Sequence, residues 1–363
     1  MMGSEELAGN DFASFEPAAG CGCDMAVWSQ ALKDDPTPWL LEDSSPAVRH
    51  QALRQLLGRT PDDPEVVAAR AAAVEAAPIA PILSAQDPAG FWVRSGPGYG
   101  PKYRGTVWQV MFLDQSGADG ADPRVYAACA YVLSHTQAVT GGFVASGSIL
   151  DAPPAPAYAL HCRHGNLLRA LLGFGWHEDV RVQQAIEWQA GAITGEDFDW
   201  YYRSGTSGPG FACVANGQLP CAWGAIKALS ALARVPESQR TPHVLRAIEQ
   251  GVEFLLSVDP ASAGYPAGRG KAGPSAYWFK PGFPSGYIAD VLQNLEVLCE
   301  LGYGKDRRLQ NAIDWLLARQ DDHGRWKNEH AYTGKTWEAF DRQGRPSKWV
   351  TLRACRVIAA ARA

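Results

Sequence analysis

Three of the eight cysteines in this 363-residue chain, Cys162, Cys213 and Cys221, stand at or just before segments that read as helix starts: "HCRHGN", "FACVANGQLPC" and "CAWGAIKAL". His161 and His164 flank Cys162. Three thiolates and one imidazole satisfy tetrahedral zinc. If the fold gathers those helix starts, Cys162, Cys213, Cys221 and His164 are the expected ligands, with His161 as the alternative histidine. The plainer reading also stands, because no CxxC pair is present and buried free cysteine is a common core residue; either histidine can instead cap its helix. Cys129, Cys299 and Cys355 fall inside helical stretches and read as core. Cys21 and Cys23 lie in an acidic, Gly/Ala-rich N-terminal stretch, as stray thiols or a chelating pair.

Basic and aromatic residues collect at similar places. Lys102 and Arg104 precede a helix at Gly105, Lys280 lies in "YWFKPGFP", and Arg345 and Lys348 lie in "GRPSKW". Helix N-termini favour anions, so a shared rim of this kind would bind a diphosphate or carboxylate; singly, each is a solvated loop charge. Trp108, Trp223, Trp278, Tyr287 and Trp349 belong to the same segments. They either line a cavity for a flat or greasy ligand, whose cationic intermediates their π-faces would stabilise, or pack as core. Three carboxylates are acid–base candidates. Asp290 interrupts the apolar run "GYIADVLQNL", Asp114 sits near the far end of another helix, and Glu329 follows in "WKNE". A carboxyl facing a dry cavity has a raised pKa and can exchange a proton; the alternative is pairing with a neighbouring helix.

A repeat positions these residues. A unit recurs roughly every 60 residues, a period that points to stacked helical hairpins. "DPRVYAACAYVLSHTQAVTGGF", "DVRVQQAIEWQAG", "TPHVLRAIEQGVEFLLS" and "KDRRLQNAIDWLLARQDDHGRW" share a capping start and helical apolar spacing. "DDPEVVAARAAAVEAAPIAPILSAQDPAGFW" is a degenerate copy. Between them lie helices apolar on most faces, such as "GNLLRALLGFG" and "CAWGAIKALSALA", which suits elements covered on both sides. The expectation is an all-α fold, a closed (α/α)6 toroid with parallel inner helices over residues 25–363, preceded by a flexible tail at 1–24. An open HEAT-like solenoid is the competing arrangement.

"QDPAGFW" (86–92) and "QDDHGRW" (320–326) look like the QW repeats of squalene and hopene cyclases. With the helix alternation, they make the chain resemble the terpenoid cyclase and protein prenyltransferase superfamily, most similar to short single-toroid bacterial squalene-cyclase-like proteins. In such repeats Gln caps an outer helix and Trp packs on the next hairpin. The DxDD acid motif of class II triterpene cyclases is not reproduced; the nearest string is "DFDW" at Asp197–Trp200. The prenyltransferase zinc-ligand pattern is also not reproduced, and "CRHG" and "CAWG" are only loosely similar to the zinc-binding helix starts of lanthionine cyclases. The resemblance implies an enzyme acting on an apolar, isoprenoid-like molecule in a central aromatic cavity, with zinc as a Lewis acid. A helical-repeat binding protein with structural zinc or core cysteines is one alternative. A toroid glycosidase is another, which would need a carboxylate pair that the sequence does not display.

A net charge of -5 and a pI near 5.9 give no general attraction for nucleic acid. No apolar run reads as a signal peptide or a membrane span. The expectation is a cytoplasmic protein with its cysteines as thiols or metal ligands.

Overall fold

Apolar residues at helical spacing, punctuated by Asp and Thr caps, fold into helices throughout residues 28–144, 159–196, 207–268 and 273–362, which the computed structural model describes. Cys21, Cys23, the 1–24 stretch and the Asp197–Trp200 string lie outside those residues. In chain order the helices are α1 (Thr37–Leu40), α2 (Pro46–Gln55), α3 (Pro64–Val74), α4 (Ile79–Ser84), α5 (Thr106–Gln115), α6 (Pro123–His135) and α7 (His161–Gly173). They continue with α8 (Val180–Thr194), α9 (Ala222–Leu232), α10 (Pro242–Leu256), α11 (Val291–Glu300), α12 (Gln310–Leu317) and α13 (Lys348–Arg362). Between α8 and α9 a short antiparallel pair joins β1 (Ser207–Gly208) to β2 (Ala212–Cys213).

Two kinds of helix alternate, as the sequence pattern requires. α3, α6, α8, α10 and α12 are amphipathic and lie outside; α2, α5, α7, α9, α11 and α13 lie inside. Three of the outer starts share one device. Asp122, Asp179 and Asp306 each accept a hydrogen bond from the backbone N–H two residues on and pair with the arginine there, Arg124, Arg181 or Arg308. Such caps satisfy donors that the first helical turn leaves open. Among the inner helices, α5 packs on α7, α7 on α9, α9 on α11, α11 on α13 and α13 on α2. Gln51 of α2 then donates to the Gln115 carbonyl of α5 at 3.2 Å. The contact of α7 with α9 is the closest of these, because Gly165 lets α7 lie directly on the Lys227 carbonyl.

A staple that recurs three times joins one hairpin to the next. The Trp92 indole donates to the Ile82 carbonyl of α4 at 2.7 Å, and the Trp92 N–H donates to Thr106 Oγ1 on α5 at 3.1 Å. Trp326 repeats this on α12 and α13, with Leu316 O at 2.8 Å and Thr351 Oγ1 at 2.9 Å. Four residues before Gly90, Gln86 donates to the Arg124 carbonyl at the start of α6. Gly90 and Gly324 adopt positive φ, and each lies so close to a neighbouring carbonyl, Ala127 O or Asp34 O, that a Cβ would collide with it. A third copy uses Gln137, Gly141 and Phe143: Gln137 donates to the Arg181 carbonyl of α8, and the Phe143 N–H donates to His164 Nδ1 at 2.9 Å. In this copy His164 replaces the threonine. The Trp half of the sequence expectation therefore holds in enlarged form; Gln320 caps its own outer helix by donating to the Leu317 carbonyl at 2.9 Å, whereas Gln86 reaches the next outer helix.

Candidate functional site

A cavity of about 480 Å³ lies among the inner helices, and all six contribute side chains to it. Gln51 and Arg54 come from α2, Asp114 from α5, Arg169 from α7, Lys227 from α9 and Arg234 from the turn just after it. Glu296 and Glu300 come from α11, with Arg353 and Arg356 from α13. Apolar surface alternates with these charges: Val66, Met111, Phe174, Phe283, Trp349 and Leu352 also line the space. Seven basic side chains face four acidic ones, in a chain of net charge -5.

Pairing leaves the wall cationic. Glu296 pairs with Arg353, Glu300 with Arg356 at 2.9 Å, and Asp114 with Arg234 at 2.7 Å. Burial alone would raise the Glu296 carboxyl, but the Arg353 guanidinium beside it prevails and holds it below the usual range. Arg169 makes no carboxylate contact among the described residues, and its buried Nε has no hydrogen-bond partner. Lys227 is 5% exposed and donates to Gln293 Oε1. Loss of water lowers its ammonium to about 7, with Arg169 and Arg353 lowering it further against the pull of Asp290.

Most of the aromatic residues expected around the cavity lie outside its lining. Trp108 is buried with its indole donating to the Tyr99 carbonyl, and its ring packs against Tyr103, Phe112 and Tyr287. These rings fill their space by packing on one another. Trp278 is a core staple on the Pro260 carbonyl, and Trp223 is a half-buried packing residue. Trp349 does line the cavity, stacked on Phe283 with ring centroids 4.4 Å apart.

Nor do the predicted cations form one anion rim. Lys348 is held by Glu42 at 2.8 Å and by Ser44, Lys102 bonds the Tyr287 hydroxyl at 2.7 Å, and Arg104 covers the Trp337 ring. Lys280 and Arg345 are exposed. None of the five lines the cavity. Among the carboxylates, Asp114 lines it, while Glu329 pairs with Arg319 at 3.0 Å away from it. Asp290 caps α11 through the Gln293 N–H and accepts from Gln293 Nε2, both at 2.9 Å, so it touches the cavity wall only through Gln293. Burial raises its carboxyl.

The helix starts do bring the cysteines together. The Cys221 thiol donates to Cys213, which also accepts from the Ala215 and Asn216 N–H groups; this lowers Cys213 and raises Cys221. Cys162 is close enough to act electrostatically on both. The histidines, however, are committed elsewhere. His164 Nδ1 accepts from Phe143 and Nε2 donates to the Ala185 carbonyl at 2.9 Å. His161 Nδ1 faces Gln189 at 3.0 Å and Nε2 donates to the Gly208 carbonyl. Burial keeps His164 neutral, down to about 3, and His161 to about 4. Both ring nitrogens of His164, the expected ligand, thus bond the protein in this structure. Among the described residues no group of three or more His, Cys, Asp and Glu is placed to hold a metal ion.

Sequence reading missed Arg169, Lys227, Arg234, Glu296, Glu300, Arg353 and Arg356. A signal for them exists. They are isolated charges in helices otherwise apolar all round, spaced three, four or seven apart, as in "EVLCE", "RACR" and "KALSALAR". On a helix covered by neighbours, such a stripe must face an internal polar space.

No helix among the described residues is long and apolar enough to cross a membrane. No family model and no curated protein matches the chain. Solved structures of the type II terpene cyclase MstE from Scytonema are similar to it. The apo enzyme is 13% identical, with 80% of this chain and 97% of that one covered and a TM-score of 0.28. A variant bound to merosterolic acid A, described as product, is 13% identical, with 80% and 96% covered and a TM-score of 0.27. Another bound to geranylgeranyl dihydroxybenzoate, described as substrate, is 12% identical, with 80% and 97% covered and a TM-score of 0.27. The chain is thus similar to terpene cyclases in helical outline, at a level on which the chemistry of its cavity does not rest.

Proposed function

We propose that the six inner helices close into a toroid and that the protein is an enzyme whose central cavity takes a small molecule with an anionic head and an apolar body. The succession of inner-helix contacts, joined between α2 and α5 by Gln51, supports closure. The single observation that carries the ligand reading is the excess of arginine around one space, where six arginines face four carboxylates and none of the carboxylates lies within ion-pair distance of Arg169. Buried guanidinium groups are costly without counter-charge. A carboxylate or phosphate supplies it bidentately. Val66, Met111, Phe174 and Leu352 would cover an apolar, isoprenoid-like body. Glu296, kept ionised by Arg353, can stabilise positive charge that develops nearby.

Calorimetry with inorganic pyrophosphate and with a prenyl diphosphate tests the reading. Arg169→Gln should weaken both about tenfold, near 1.4 kcal/mol, with little change in Tm. Equal affinity in the variant and the parent chain would overturn it.

A further inference from the structure

Among the described residues, Lys227 is the one lysine on the cavity wall. Among the described residues no carboxylate lies within ion-pair distance of its Nζ, and its hydrogen-bond partner is the neutral Gln293 Oε1. That partner cannot turn away. Its amide nitrogen is held by Asp290 at 2.9 Å, which fixes the oxygen toward Lys227. An amine giving one N–H to an amide oxygen keeps its lone pair for the cavity. Around it stand the guanidinium groups of Arg169 and Arg353, the Asp290 carboxyl and the Cys162 thiol. The two arginines and the loss of water favour the uncharged, nucleophilic amine near neutral pH. A side chain kept only for packing would not need this nitrogen, since Leu or Met fills such space without desolvating an amine.

We propose that Lys227 forms a Schiff base with an aldehyde or ketone that carries an anionic group, the anion resting on the neighbouring arginines. In this step Nζ bonds the carbonyl carbon, the C–O bond breaks, and both amine hydrogens leave with the oxygen as water. No oxidant or metal enters the balance. The inference rests on the cavity being an anion site and adds the carbonyl to it.

Glyoxylate, an aldehyde bearing a carboxylate, is the probe, with cyanoborohydride to reduce the imine and peptide mass spectrometry of the whole chain to locate it. Lys227 should be the dominant adduct, slowed at least fivefold by inorganic pyrophosphate. Lys227→Arg should lose that adduct while retaining pyrophosphate binding by calorimetry. Adducts confined to surface lysines such as Lys102 and Lys280, in a protein that binds pyrophosphate, would overturn the Schiff base and leave the anion site standing. Equal labelling of Lys227 by glyoxylate and acetaldehyde, without pyrophosphate binding, would instead overturn the anion site.

Discussion

Burial of Lys227 couples its titration to folding. The folded amine releases its proton at about 7, whereas in the unfolded chain it holds it to about 10.4. Between those values the unfolded state binds more protons, so this group makes stability rise with pH from about 7 to about 10. The cost below that window is on the order of 4 kcal/mol. Lys227→Met removes it. Urea unfolding at pH 6.5 and pH 9.5 should therefore show the variant gaining on the parent at the lower pH, and an unchanged difference between the two would refute the buried-amine account. His164 shows the opposite use of a buried titratable group, with both nitrogens satisfied by backbone. That residue could not be assigned from "HCRHGN", because its partners lie in the Phe143 turn and in α8.

At the scale of elements, the Gln, Gly and aromatic staple turns a run of hairpins into a defined stack. Its three copies hold Phe143, Trp92 and Trp326 by the same amide, received by His164, Thr106 or Thr351. His164→Ala leaves the Phe143 N–H buried without a partner and removes the second of two bonds to the Ala185 carbonyl, which stays in the α8 ladder, a loss of about 1–3 kcal/mol. His164→Thr should restore roughly 1–2 kcal/mol of this, since a hydroxyl can accept from Phe143 as it does from Trp92 and Trp326. Chemical denaturation of the two variants provides the comparison, and equal loss would show that the threonine analogy fails. The two QW-like copies were readable in sequence. The third was not, because phenylalanine stands in place of tryptophan and histidine in place of threonine.

Across the molecule, cohesion is uneven. α7 and α9 meet almost backbone to backbone at Gly165, whereas α2 reaches α5 through the Gln51 side chain at the wall of the cavity. Sub-global opening follows the weakest packing. Hydrogen exchange should therefore be fastest, among the inner helices, in α2, and slowest in α7 and α9; pyrophosphate should slow α2 if it fills the cavity. Uniform exchange across the inner helices would contradict this picture of the seam.

The sequence by itself determined the helices and their alternation, since apolar period and Asp or Thr caps act within a few residues. It also placed Cys162 and Cys221 at the starts of two neighbouring inner helices, because hairpin order constrains which starts are neighbours. Tertiary structure decided what those starts do. Whether a histidine nitrogen is free, whether Lys348 faces a ligand or Glu42, and whether tryptophans line a space or fill it depend on neighbours distant in the chain. The same holds for the charged stripes of the inner helices. Their residue types were visible, but only the fold, by covering every other face, made Arg169 and Lys227 the walls of one cavity.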